Sequence, residues 1–184
     1  KLLLLYGVRN IVLTDRAGII YEGRDGMNDA KMEMAAVTNL EKLRGGLSDA
    51  LRNVDVFIGI SGPNLVTSDM VKSMAADSII FAMANPDPEI FPDEAYAGGA
   101  KIVATGRSDF PNQINNILAF PGIFRGALDS QTRYITDAMK IAAAEALSAL
   151  ISNPTPDKIL PSVFDPGVSE AVAEAVVKTI FIKQ

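Results

Sequence analysis

Short apolar runs alternate with helical stretches over the first 106 residues of this 184-residue chain. The runs lie at residues 10–14, 54–60, 78–83 and 101–104. Each is an almost continuous series of apolar residues, as is typical of strands covered on both faces in a parallel sheet. The helical stretches lie at residues 29–44, 48–53, 68–75 and 93–97. This alternation predicts βαβ units, and therefore an α/β fold with a doubly wound parallel sheet.

The pattern changes after Gly106. From residue 115 onward the sequence predicts only helices, at residues 115–130, 135–152 and 169–182, and an Asn-Pro-Thr-Pro segment separates the last two. We therefore predict one domain, whose sheet-containing part covers residues 1–130 and whose helical C-terminal extension covers residues 131–184.

The first seven residues resemble the end of a helix that Gly7 closes before a strand begins. A Rossmann unit opens with a strand and a Gly-rich turn in front of such a helix. We therefore predict a Rossmann-like domain without its first strand and Gly-rich loop. The alternative is a natural N-terminus on an amphipathic helix, but the four consecutive leucines favour a helix that packs against something else.

Composition excludes several kinds of site. The chain has no His and no Cys, which excludes a Ser-His triad, a His-ligated metal and a thiol nucleophile within it. A net charge of −5 argues against nucleic-acid binding. No apolar run approaches the roughly 20 residues of a membrane span. The absence of Cys suits a cytoplasmic protein.

Asp15 follows the first predicted strand, where the acid of a dinucleotide-binding fold accepts hydrogen bonds from the adenosine ribose. Its alternative role is that of a turn residue before Gly18. Nearby Arg16 and Lys31 would attract a 2′-phosphate, or they are solvated surface charges. Because a carboxylate at the ribose repels that phosphate, we expect NAD to be preferred over NADP.

Small and amide residues follow the later strands. Ser61 and Gly62 would let the backbone approach a flat ligand, unless they form only a tight turn. Pro86 favours an extended Asn85, whose amide could contact a nicotinamide ribose or a hydroxy acid; the alternative is a turn start. Asn115 and Asn116 either cap a helix or contribute a ligand-binding amide.

Four blocks together resemble malic enzyme of the bacterial type: residues 13–24, 59–62, 81–86 and 115–122. They occur in the family's order and spacing and cover most of residues 8–130. The resemblance implies oxidative decarboxylation of malate to pyruvate and CO2, with NAD or NADP and a divalent Mg or Mn ion. It assigns Asp15 to the ribose, Asn85 to the nicotinamide and substrate, and Asn116 to the substrate.

The family's Tyr acid, Lys base, carboxylate metal ligands and Gly-rich loop match no motif of this chain, so the resemblance implies no catalytic or metal-binding residue within it. We expect these groups, the metal included, in another part of the protein, and we expect a homodimer or higher homo-oligomer. Two alternatives remain at this point: another nicotinamide-dependent dehydrogenase, for example of the amino-acid type, and a non-catalytic nucleotide-binding or assembly domain.

Overall fold

The computed structural model describes residues 1–181. Its helices are α1 (Leu2–Tyr6), α2 (Asp29–Ala35), α3 (Leu47–Ala50), α4 (Ser68–Lys72), α5 (Pro92–Ala97), α6 (Phe120–Asp129), α7 (Asp137–Ala149) and α8 (Val168–Phe181), with a short 3-10 helix at Asn116–Leu118. Its strands are β1 (Thr14–Asp15), β2 (Gly18–Ile19), β3 (Val56–Gly59), β4 (Ile79–Ala82) and β5 (Ile102–Thr105). The end of the last predicted helix, residue 182, lies outside the described residues.

Strands β3, β4 and β5 form a parallel sheet in that order. This confirms the predicted α/β class and three of the four predicted parallel strands. Gly59 pairs with Ala82, which in turn pairs with Thr105, so the three strands end in register. The loops that follow them therefore leave from one level of the same sheet edge.

The connecting helices begin where local signals place them. The Thr67 side chain accepts a hydrogen bond from the backbone N–H of Met70 and caps α4, while Pro92 opens α5. Both helices pack against the sheet, where Val71 and Ala95 join the buried cluster around the β4 residue Ile80. These contacts fix the crossovers that keep the strands parallel.

The expectation that the strands are covered on both faces is wrong for β3. Val56 and Ile58 are 43% and 45% exposed, and Ile60, just beyond the strand, is 78% exposed. These residues alternate along the strand and therefore share one face. Helices α4 and α5 pack on the opposite face, and this face of β3 is partly exposed in the described part of the chain.

The first predicted strand is also different in the structure. Only Thr14 and Asp15 are extended in a ladder, and they pair antiparallel with Ile19 and Gly18. Gly18 has φ +104°, a conformation that glycine adopts readily, so the turn signal in residues 15–18 folds the chain back into a hairpin. Residues 10–14 therefore do not join the parallel sheet in the described part of the chain.

Helix α2 is shorter than its predicted range of 29–44, because the buried Asn39 ends the helical region. Asn39 has φ +50°, and its side-chain amide donates to the carbonyls of Ile20 and Leu43 and accepts from the Leu43 N–H. This closed network holds a turn, so the helical pattern of the sequence is interrupted there. The predicted helical end at Gly7 is confirmed: α1 stops before it, and Gly7 has φ +105°.

Helices α6, α7 and α8 build a second apolar core beside the sheet. Gly122 and Gly126 of α6 lie directly against Val172 and Val176 of α8, where a Cβ would come within 2.8 Å of the valine side chain. The buried Asn112 joins this part to the sheet, since its amide bonds the Val103 and Pro156 carbonyls and the Ile159 N–H. None of the helices in residues 1–181 has the length and apolar character needed to cross a membrane.

Candidate functional site

The carboxyl edge of the parallel sheet gathers most of the predicted site residues. Ser61 and Gly62 follow β3, and Asn85 follows β4. The loop after β5 returns to the strand end, where the Ile114 N–H donates to the Thr105 carbonyl at 2.7 Å, and this brings the following asparagines toward the same edge. In open α/β sheets, ligands bind outside the carboxyl ends of the strands.

Gly62 stands in open space. A Cβ built at this position would meet no protein atom within 4 Å among the described residues, and its φ is not in the left-handed region. Gly59 differs, because a Cβ there would lie 2.7 Å from both carboxylate oxygens of Glu89. The fold therefore explains glycine at 59, whereas glycine at 62 leaves room for a group from outside.

Glu89 is a site residue that the sequence analysis did not single out. It is 1% exposed, and its carboxylate accepts the Ser61 N–H at 2.7 Å and the Ala84 N–H at 3.0 Å. Its two oxygens thus connect the loop after β3 with the loop after β4. The sequence feature that could have identified Glu89 is its place between Pro88 and Ile90, which are both buried. A charge in an apolar segment requires hydrogen-bond partners.

Arg107 connects the loop after β4 with the loop after β5. Its guanidinium donates to the Pro86 carbonyl at 3.3 Å and forms ion pairs with Asp87 and Asp109. The hydrogen bonds from Arg107 hold the pKa of Asp109 below its usual value. All three strand-end loops are therefore joined, while the Asn85 side chain is exposed beside these links.

Asn115 and Asn116 have different roles in the structure. The Asn115 side chain accepts the Ile117 N–H at 3.1 Å and caps the 3-10 helix. Asn116 is exposed, and its side chain forms no hydrogen bond within residues 1–181. The capping role considered for the pair therefore belongs to Asn115, and the Asn116 amide is available for a ligand.

Asp15 lies in a cluster of charges. Arg24 donates to both carboxylate oxygens, at 2.9 and 2.5 Å, Lys31 donates to Oδ2 at 2.5 Å, and the Ala17 N–H donates to Oδ1 at 2.9 Å. Hydrogen bonds from Arg24 and then from Lys31 hold the pKa of Asp15 well below its usual range. Each oxygen accepts two hydrogen bonds, so the carboxylate is ionised and fully bonded.

The cations beside Asp15 are only partly those expected. Lys31 pairs with it, but the exposed Arg16 lies in the hairpin turn and forms no ion pair within residues 1–181. The second cation is Arg24, whose side chain is 9% exposed and also donates to the Gly18 and Ile19 carbonyls. Arg24 lies nine positions after Asp15 in the sequence, and the hairpin brings the two side chains together.

The residues at the sheet edge fit a dinucleotide better than a metal ion. The open glycine at 62 and the exposed amides of Asn85 and Asn116 provide a backbone surface and neutral polar groups, which suit a flat cofactor and a hydroxy acid. Over residues 1–181, no group of three or more acidic side chains is placed to hold a metal ion.

Comparisons with known proteins agree with this geometry. The family described as "Malic enzyme, NAD binding domain" matches residues 7–181. The chain is 56% identical to a bifunctional malic/malolactic enzyme of Bacillus subtilis over 97% of this chain and 44% of that protein. It is 49% identical to an NADP-dependent malic enzyme of Rhizobium meliloti over 94% of this chain and 25% of that protein.

Solved structures show the same relationship. The crystal structure of an NAD-dependent malic enzyme from Thermotoga maritima superimposes with a TM-score of 0.90 at 46% identity, covering 95% of this chain and 46% of that one. The chain thus spans less than half the length of the relatives it matches. The match over residues 7–181 and the shared Rossmann-like fold lead to one conclusion: this chain belongs to the malic enzyme family, as its NAD-binding domain.

Proposed function

We propose that the full-length protein oxidises malate and decarboxylates it to pyruvate and CO2, and that this chain contributes the cofactor site and part of the substrate site. The observation that carries the proposal is the sheet edge where Gly62, Asn85 and Asn116 follow strands that end in register. Family membership supports the reaction class.

The chemistry divides between this chain and the rest of the protein. When bound, the nicotinamide dinucleotide supplies the hydride acceptor for C2 of malate. We propose that the acid, the base and the carboxylates for a Mg or Mn ion come from elsewhere in the full-length protein. The residues of this chain then bind and orient the two ligands.

We propose specific contacts for the exposed amides of Asn85 and Asn116. Asn116 would donate to a malate carboxylate and accept from the malate hydroxyl, because an amide offers both kinds of group. Asn85 would contact the nicotinamide ribose and the substrate, since it follows β4 beside the loop that carries Ser61 and Gly62. The neutral amides add no charge that would oppose the dianionic substrate.

We propose NAD as the preferred cofactor. Both cations near the expected adenosine ribose already hold the Asp15 carboxylate at 2.5 Å, so a 2′-phosphate would have to compete with that carboxylate for them. A 2′-hydroxyl needs only one acceptor position on Asp15, which the half-exposed Lys31 could release. Arg16 remains a candidate for a weaker contact, because it lies exposed in the turn and forms no ion pair within residues 1–181.

We also propose that the protein is cytoplasmic and forms a homodimer or a higher homo-oligomer. Phe120, Phe124 and Leu128 lie one helical turn apart on α6 and are 50%, 54% and 75% exposed. Such an apolar stripe favours burial against another surface. Light scattering of the purified full-length protein measures the subunit number, and a monomeric mass would contradict the proposal.

The reaction is tested with the full-length protein, malate, Mn²⁺ and NAD. We expect a malate-dependent absorbance rise at 340 nm with pyruvate formed in equal amount, and a smaller rate with NADP. Amino acids in place of malate serve as the control for the dehydrogenase alternative. NAD reduction with an amino acid but not with malate would favour that alternative, and binding of NADH without any turnover would favour a nucleotide-sensing domain.

A further inference from the structure

Glu89 is a buried carboxylate to which the proposed function assigns no task. No Lys or Arg forms a salt bridge with it within residues 1–181, so only hydrogen bonds compensate its burial. Burying a charge without a cation is costly, and such a group is retained only where its hydrogen bonds are well satisfied. Both oxygens of Glu89 meet this requirement, each with one backbone N–H.

The two N–H groups belong to the loops that carry the proposed ligand contacts. Ser61 precedes Gly62 in the loop after β3, and Ala84 precedes Asn85 in the loop after β4. Glu89 thus acts on the residue immediately before each contact. A shift of either loop would move Gly62 or Asn85 by a similar amount.

The backbone around Glu89 anchors the same region. The Pro88 carbonyl accepts the Asn64 N–H at 3.1 Å, and the Glu89 carbonyl accepts the Val66 N–H at 3.0 Å. These bonds fix the segment that carries Glu89 to the far end of the loop after β3. The last ladder bond between the two strand ends runs from the Met83 N–H to the Gly59 carbonyl at 3.0 Å. Beyond it, within residues 1–181, the Glu89 side chain supplies the hydrogen bond to Ala84, so it holds the two loops together where they leave the sheet.

Among side chains of this length, only a carboxylate can accept from both loops at once. An amide has a single acceptor oxygen, and its NH₂ would face the second backbone N–H. An aspartate is one methylene shorter and cannot reach both partners. Glycine at position 59 leaves room for the glutamate, because a Cβ there would lie 2.7 Å from the Glu89 carboxylate oxygens.

We propose that Glu89 is a positioning residue that sets the distance between the two strand-end loops for dinucleotide binding. This inference rests on the proposed cofactor site. Glu89 touches neither cofactor nor substrate; it acts through the backbone at Ser61 and Ala84.

The test compares Glu89→Gln, Glu89→Ala and wild-type full-length protein by NADH fluorescence titration and by hydrogen exchange. We expect Glu89→Gln to remain folded and to raise the dissociation constant of NADH about five- to tenfold, the factor that corresponds to one lost hydrogen bond. Exchange should become faster in peptides 59–62 and 82–85, and in Glu89→Ala it should be faster still. The KM for NAD should rise more than the KM for malate.

Gly126→Ala is the matched control, because its added methyl group would crowd the contact between α6 and α8. That contact does not involve the strand-end loops. We expect it to lower the melting temperature and to leave NADH affinity unchanged. The proposal is overturned if Glu89→Gln binds NADH as the wild type does, or if Gly126→Ala weakens NADH binding equally. A wild type that binds NADH without oxidising malate would refute the proposed reaction, while NADH affinity and exchange would still decide the role of Glu89.

Discussion

Replacing Gly62 with alanine tests whether this glycine is needed for folding or for ligand binding. The new Cβ would meet no atom of residues 1–181 within 4 Å, and the backbone there is compatible with alanine. Gly→Ala changes at compatible positions stabilise a protein by about 0.4–1 kcal/mol through the unfolded state. We therefore expect Gly62→Ala to fold with unchanged or slightly higher stability.

The same methyl group should obstruct the cofactor if the backbone at Gly62 lies against it. Forcing an extra carbon into a packed contact costs about 1–3 kcal/mol. That cost corresponds to a dissociation constant for NADH that is roughly 5- to 160-fold higher. NADH fluorescence titration and thermal unfolding of the same full-length samples measure the two effects separately.

Gly59→Ala provides the comparison. Its Cβ would crowd the Glu89 carboxylate, so we expect a stability loss of about 1–3 kcal/mol together with weaker NADH binding. A Gly62→Ala protein that binds NADH as tightly as the wild type would refute the placement of the cofactor against this loop.

Further predictions concern the polar residues and the isolated chain. Asn116→Ala should raise the malate KM or lower kcat with little change in NADH affinity, whereas Asn115→Ala should mainly lower the melting temperature; equal kinetic effects would contradict this division. Asp15→Ala should shift the ratio of kcat/KM for NAD over NADP toward NADP, and a Lys31→Ala protein that loses a dominant NADP activity would show the cofactor preference to be wrong. The cationic neighbours of Asp15 lower its pKa below the ordinary 3.8. The wild type should therefore be more stable than Asp15→Asn above about pH 4, and this difference in thermal unfolding should shrink as the pH falls. A polypeptide of residues 1–184 alone should not reduce NAD with malate and Mn²⁺; robust activity would refute the proposed division between this chain and the rest of the protein.

Local signals were sufficient for the elements that build the sheet edge. The apolar runs predicted β3, β4 and β5, and the helical stretches predicted at residues 68–75 and 93–97 correspond to α4 and α5. Strand-end positions then predicted that Ser61, Gly62 and Asn85 follow strands of one sheet. The roles assigned to these residues are predictions, which the substitutions above test.

Long-range hydrogen bonds were not predictable in the same way. Glu89 and Ser61 lie 28 residues apart, and only the register of β3 against β4 brings them together. The pairing of Arg24 with Asp15 depends on the hairpin. The apolar pattern of residues 10–14 predicted a strand of the parallel sheet and not this hairpin. Helix α2 is shorter than predicted because the Asn39 amide holds a turn through hydrogen bonds with Ile20 and Leu43. Helix propensity alone does not predict these bonds.

Hydrogen exchange of the full-length protein with and without NADH tests the location of the cofactor most directly. We expect NADH to slow exchange in the strand-end loops at residues 59–62 and 82–86, and to leave helix α7 in the second apolar core unchanged. Slowed exchange that is confined to the C-terminal helices, with none at these two loops, would contradict a dinucleotide site at the carboxyl edge of the sheet.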